Sequence, residues 1–174
     1  MPEPTVWLAF VAATLGLLAI PGPVVLFVVG RALAGGRSAG LSTIAGIAVG
    51  DLVHVLAAAL GISALVASSA ELFAVVKWAG VVYLVGLGLV TLRGSDRPAG
   101  EPPRSAGRLA GFTVAALNVK TAIFFVAFLP QFVDASRPAA LQVLALGSTF
   151  VLLGALTNAL WATASGAAAE RFSG

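Results

Sequence analysis

Long apolar runs dominate this 174-residue sequence and limit what it can fold into. The runs cover residues 6–29, 41–66, 72–92, 111–132 and 141–168, and each reaches the roughly 20 residues that an α-helix needs to cross a bilayer. Only 10% of the residues are charged, against about 25% in a soluble domain. The sequence therefore predicts an all-α integral membrane protein: one transmembrane domain over residues 1–174, with five transmembrane helices.

Composition also excludes several kinds of site. The chain has no cysteine and a single histidine, His54, which excludes disulfides and thiolate sites and argues against a multi-histidine metal centre. The net charge is +3, but no basic run or basic-aromatic stripe points to nucleic acid. No nucleophile, phosphate loop or metal constellation is present, so we expect no enzyme activity, metal or cofactor.

Arginines indicate the orientation. Six of the eight arginines fall after the first and third apolar runs: Arg31, Arg37, Arg93, Arg97, Arg104 and Arg108. The positive-inside rule places those loops in the cytoplasm of a bacterium, with the N-terminus outside the inner membrane. Residues 93–108 are rich in proline and arginine and are predicted to be a cytoplasmic linker between two helical halves. The N-terminus lacks the pattern of a cleaved signal peptide, so the first run is expected in the mature protein.

Several polar residues fall inside the predicted helices at a common depth. Gly22, Asp51, Asn118, Lys120 and Asn158 lie about 7–10 residues, or roughly 10–15 Å, from the cytoplasmic helix ends. A charge at mid-membrane costs about 2.5–3.5 kcal/mol, so each charged residue is a candidate for function. The structural alternative is an Asp51–Lys120 ion pair between neighbouring helices, and the sequence predicts that these two are neighbours.

Pro21-Gly22-Pro23 interrupts the first helix, because each proline removes a backbone donor. The break should leave carbonyl groups such as those of Leu17 and Ala19 without helical donors. Broken helices are common at transport sites, although the same motif can be a plain kink or a helix end.

The remaining polar candidates have two readings each. His54 lies one turn beyond Asp51 and could share a proton with it, or could simply pack against a neighbour. Asn118 and Asn158 could bind the carboxylate or amino group of a solute, or could bridge helices.

Four motifs occur in order along the chain: Ala19-Ile20-Pro21-Gly22-Pro23, residues 46–51, Asn118-Val119-Lys120 followed by Phe124-Phe125, and residues 128–132. In this ordered set the chain resembles the LysE/RhtB superfamily of amino-acid exporters. The resemblance implies proton-driven secondary export of amino acids or related zwitterionic metabolites, and two three-helix halves of inverted topology.

The chain departs from the family pattern in two places. Val119 stands where the family usually has proline, so the fourth helix is expected to be less broken than the family pattern implies. The sequence also stops just after the fifth helix, whereas the family usually has a sixth. The uncovered apolar face is expected to meet lipid or a second copy of the chain.

Together these features predict a solute site at Pro21, Gly22, Pro23, Asn118, Lys120 and Asn158, with Asp51 and His54 coupling protons. The expected partners are a small zwitterionic solute, protons, the lipid bilayer and a second copy of the chain. Three alternatives stay open: efflux of a divalent cation held by Asp51 and His54, a membrane enzyme using the same pair as acid and base, and a non-catalytic membrane subunit.

The orientation can be tested with single cysteines, since the chain has none of its own. We predict that cysteines at Ser38 and Ala99 react only after the membrane is made permeable, because both lie in arginine-bearing loops. Cysteines at Ser69 and Ser136 should react in intact cells. Labelling of Ala99→Cys from outside alone would overturn this topology.

Overall fold

A computed structural model of the chain describes residues 2–68, 71, 75 and 107–172. The elements are α1 (Pro4–Ala19), α2 (Pro23–Ser68), α3 (Gly107–Ala116), α4 (Val119–Ile123) and α5 (Ala139–Phe172), with a π-helical turn at Phe124–Phe128 and a 3-10 turn at Leu129–Phe132. All regular elements in these ranges are helical, which confirms the all-α class. Apart from Val75, the predicted third helix lies outside the described residues, as does most of the predicted linker. Gly107 and Arg108, the last two residues assigned to that linker, are the first two residues of α3.

Two of the described helices, α2 and α5, are long and apolar enough to cross a membrane. A third span is formed if α3 and the segment from Val119 to Phe132 are counted together, bent by 43°. With 16 residues, α1 is shorter than a span and is followed by the first arm of α2, residues 23–34. A glycine pair, Gly35 and Gly36, separates this arm from the second arm, residues 37–68. Gly36 has a φ of 76°, a backbone angle that residues other than glycine disfavour.

The first break separates α1 from α2 and has the cause that the sequence predicts. Ile20, which precedes a proline, is extended with a ψ of 114° and ends α1. Pro23 then occupies the first position of α2, where its missing N–H costs nothing. The carbonyl of Gly22 accepts the first bond of the new helix, from Leu26 N at 3.0 Å.

The second break corrects the expectation that Val119 would leave this helix less broken. Asn118 is extended, and its side-chain Oδ1 accepts a hydrogen bond from Lys120 N at 3.1 Å, so it caps α4. An asparagine cap ends one helix and starts the next without a proline. The 43° bend between α3 and the following segment results.

Buried residues form three layers along the bundle. The aromatic layer includes Phe10, Phe124, Phe125 and Phe150. The ring centroids of Phe124 and Phe150 are 5.1 Å apart. The small-residue layer consists of Val24, Val28, Ile47, Ala115 and Ala162. A polar layer lies between these two layers, and its buried members are Asp51, Asn118, Thr121 and Asn158.

The order of the layers along the chain gives the direction of each segment. The first broken segment consists of α1 and the first arm of α2, and it passes from Phe10 in the aromatic layer to Val24 in the small-residue layer. The second broken segment consists of α3 and α4, and it passes from Ala115 in the small-residue layer to Phe124 in the aromatic layer. The two broken segments therefore run in opposite directions. Arg137 lies 3.6 Å from Glu3 beyond the aromatic layer, and Arg37 packs against Gly166 at the other end.

Close helix contact holds the second arm of α2 against α3. A methyl group on Gly46 would fall on the carbonyl of Arg108, and one on Gly50 would lie 2.7 Å from the carbonyl of Phe112. The backbones can approach this closely only because the side chains are absent.

Gly46→Ala should therefore destabilise the protein by about 1–3 kcal/mol, the usual range for overpacking. Gly61→Ala is the control on the same helix, because a methyl there meets no described atom within 4 Å. Thermal midpoints in mild detergent, followed by size-exclusion chromatography, would measure both variants. Equal midpoints for the two would contradict the packing account.

Candidate functional site

The polar layer contains a cavity between the broken segments and the two long helices. The space open to the centres of water molecules is about 40 Å³, enough for roughly three waters. Its described lining residues are Leu17, Leu18, Ile20, Gly22, Val24, Val25, Asp51, Asn118, Lys120, Thr121, Phe150, Gly154 and Asn158. Gly22, Asp51, Asn118, Lys120 and Asn158, which the sequence places at one depth, thus border a single cavity.

Lys120 joins the two broken segments. Its ammonium Nζ donates to the carbonyl of Leu17 at 2.8 Å and to that of Ile20 at 2.7 Å. These carbonyls end α1, where the helix dipole favours a cation. The carbonyl of Leu17, which the sequence predicted to lack a helical donor, also accepts from the backbone N–H of Ile20 at 3.3 Å. The second acceptor of Lys120 is the carbonyl of Ile20 rather than that of Ala19. An ammonium group has three donors, so one is left for another acceptor.

Gly22 explains how Lys120 reaches the break. A methyl on Gly22 would lie 3.3 Å from Cδ of Lys120 and 3.7 Å from its Nζ. The glycine of the Pro-Gly-Pro motif therefore makes room for the lysine side chain.

Asp51 lies on the second arm of α2 and is 5% exposed. Within the described ranges its Oδ1 has no hydrogen-bond partner, and the side chains there form no ion pair between Asp51 and Lys120. The expected pair is therefore not formed, because Lys120 instead binds the carbonyls of α1. Both charged groups border the cavity without neutralising each other.

The two asparagines differ in how much of their hydrogen bonding is used. Asn118 caps α4 and donates from Nδ2 to Thr121 Oγ1 at 2.8 Å. Asn158, 4% exposed on α5, makes no side-chain hydrogen bond within the described part of the chain. Of the two amides, only that of Asn158 leaves its donors and acceptor unused by the described residues.

The structure does not bring the other predicted residues into the cavity lining. Pro21 and Pro23 are exposed and act through the break that they cause. His54 places Nε2 3.1 Å from the carbonyl of Ala115 and stacks on Phe125 at 6.4 Å. Since a carbonyl only accepts, Nε2 carries the hydrogen, and the ring fastens α2 to α3.

Sequence reasoning predicted Asn158 but missed two lining residues beside it, Phe150 and Gly154. The three recur every four residues, so they share one face of α5. The four-residue spacing is visible in the sequence, but Phe150 and Gly154 have no polar side chain that would mark them as site residues. Across the described ranges no group of three or more metal-binding side chains occurs.

Broken segments around a charged cavity, inside a bundle of apolar helices, define a multi-pass membrane protein of the transporter class. The sequence matches the profile of the LysE type translocator family over residues 15–174. The chain belongs to this family. Since the family comprises translocators, the prediction that the protein is not an enzyme is confirmed.

Individual relatives agree with this assignment. The chain is 32% identical over 156 residues, 87% of its length and 76% of the relative's, to a Vibrio cholerae protein described as an uncharacterized membrane protein. It is 31% identical over 134 residues to a leucine efflux protein of Klebsiella pneumoniae, and 29% identical over 133 residues to one of Enterobacter. Those alignments cover 74% and 73% of this chain and 63% of each efflux protein. No solved structure matches the chain.

The lysine contacts predict the behaviour of charge variants. Lys120→Met should lower the thermal midpoint, since it removes two hydrogen bonds from a charged donor, each contributing about 1.5–3 kcal/mol. Asp51→Asn should not rescue this loss, because the two residues are not partners. In Asp51→Asn/Lys120→Met the change in midpoint should be the sum of the two single changes, with no extra gain from removing both charges.

Unfolding of all three variants in detergent, with Arg171→Met as a cation control at the exposed end of α5, would measure this additivity. Clear rescue of stability in the double variant would instead indicate that Asp51 and Lys120 form the ion pair expected from the sequence.

Proposed function

We propose that the protein exports neutral amino acids, or closely related zwitterions, across the bacterial inner membrane in exchange for protons. The observation that carries the proposal is the cavity bordered by one carboxyl group, Asp51, and one ammonium group, Lys120, that are not paired with each other. The names of two relatives, both leucine efflux proteins, support the same substrate class.

The lining suggests how a zwitterion would bind. Its carboxylate would accept from the third donor of Lys120 and from the N–H groups of Val24 and Val25, which the first turn of α2 leaves without helical acceptors. Its ammonium would donate to Asp51 and to the side-chain carbonyl of Asn158.

The solute's side chain would face the apolar part of the lining, which includes Leu17, Leu18 and Phe150. Among the described lining residues only Asp51 and Lys120 are charged, and the zwitterion would occupy both. A charged side chain would therefore be buried without a partner, which disfavours acidic and basic amino acids.

Antiport would follow from competition at Asp51. A carboxyl group that holds a proton no longer attracts an ammonium, so the proton and the solute would exclude each other from the cavity. A proton entering from outside would displace the solute, and solute arriving from the cytoplasm would displace the proton. His54 stays a predicted proton-handling residue, although its Nε2 donates to the carbonyl of Ala115 and it does not line the cavity.

The proposal includes movement, because the cavity holds only roughly three waters and must widen to admit an amino acid. Rocking of two inverted halves would expose it to each side in turn. The outside location of the N-terminus, the inner membrane as the site and self-association of the chain stay predictions with this proposal.

Transport would be tested in proteoliposomes loaded with labelled leucine and given an inward proton gradient. We expect the gradient to accelerate leucine release by the wild type. Asp51→Asn should abolish that acceleration, and Asp51→Glu should restore part of it. Glu3→Gln is the control, because Glu3 is an exposed carboxylate beyond the aromatic layer.

The outcomes separate the alternatives. Leucine flux that ignores the gradient would overturn proton coupling but not export. Absence of flux for every amino acid would overturn export and favour a non-catalytic subunit. Release of labelled divalent cations instead would favour cation efflux.

A further inference from the structure

We propose that Gly154 sets the size limit for the transported solute. This inference rests on the proposed function and assigns the residue that determines which solutes fit. Gly154 is buried on α5, one turn from both Phe150 and Asn158, and lines the cavity with them. At Gly154, the face of α5 that lines the cavity carries no side chain.

Other glycines of α5 have a different reason to be glycine. A methyl on Gly147 would lie 2.5 Å from Cγ1 of Val55, and one on Gly166 would lie 2.7 Å from the backbone of Arg37. Both positions are needed for helix packing. Among the described residues, a methyl on Gly154 would meet only Oδ2 of Asp51, at an ordinary contact distance of 3.8 Å. Packing among the described residues therefore does not require glycine at this position.

The space in front of Gly154 belongs to the cavity. It lies beside the carboxyl group proposed to bind the solute's ammonium, so the α-carbon and the start of its side chain would fall next to the glycine. A methyl on Gly154 would take room from the cavity beside Asp51. Larger side chains would be affected first, since they need the remaining room.

The magnitude follows from ordinary pocket discrimination, in which one methylene group changes selectivity by roughly 10- to 200-fold. For Gly154→Ala we expect KM for leucine to rise at least about 10-fold relative to KM for alanine, with little change in kcat. Gly154→Val should extend the loss to valine, while glycine and alanine are still transported. Because no clash arises in Gly154→Ala, its thermal midpoint should stay at the wild-type value.

The experiment measures proton-driven uptake of glycine, alanine, valine and leucine into inverted vesicles for the wild type, Gly154→Ala and Gly154→Val. Gly61→Ala and Gly16→Ala are the controls, since a methyl at either position meets no described atom within 4 Å and neither lines the cavity. Both controls should keep the wild-type ratio of leucine to alanine transport.

Each outcome decides the inference. A graded loss that follows solute size supports it. An unchanged leucine-to-alanine ratio in a transporting Gly154→Ala variant overturns it and leaves the proposed function intact. An equal loss for all four solutes also overturns it, because the methyl would then be acting on Asp51 or on the fold. A wild type that transports none of the four overturns the proposed function and this inference with it.

Discussion

The ammonium group of Lys120 meets the broken end of α1, and the rest of the site depends on this contact. A helix that ends inside a membrane protein leaves carbonyls that lipid cannot satisfy. Lys120 donates to two of them, those of Leu17 and Ile20, which lie 103 and 100 residues before it in the sequence. One interaction therefore caps the first broken segment, positions the second one and brings a positive charge to the cavity.

The two apolar layers that enclose the polar layer differ in construction. The aromatic layer interlocks rings from α1, α5 and the π-helical turn after α4, with centroids 4.8–5.9 Å apart around Phe124, and such pairs contribute about 0.5–1.5 kcal/mol each beyond their burial. The small-residue layer has no buried ring among its members. At that end the helices instead make close backbone contacts, at Gly46 with Arg108 and at Gly166 with Arg37.

Sequence patterns predicted the apolar segments, the first helix break and the common depth of the polar residues, because each depends on local chemistry or on distance from a loop. They did not predict which partner each polar group chooses. Asp51 and Lys120 at equal depth suggested a pair, yet rotation about the helix axes directs Lys120 to Leu17 and Ile20. The break at Asn118 was also underestimated, since an asparagine cap breaks the helix there without the proline that is usual in the family.

The unpaired state of Asp51 is the strongest physical argument that the cavity serves a ligand. A structural role for two opposite charges in one cavity would be fulfilled best by an ion pair, since each stranded charge is costly in low dielectric. Instead, in the part of the chain that the structure describes, Lys120 uses two of its three donors and Oδ1 of Asp51 has no partner. A zwitterion carries both complementary charges at a fixed short separation, so one small molecule can satisfy the two residues together. A simple cation would satisfy Asp51 alone and would be repelled by Lys120, which makes this cavity better suited to amino acids than to metal ions.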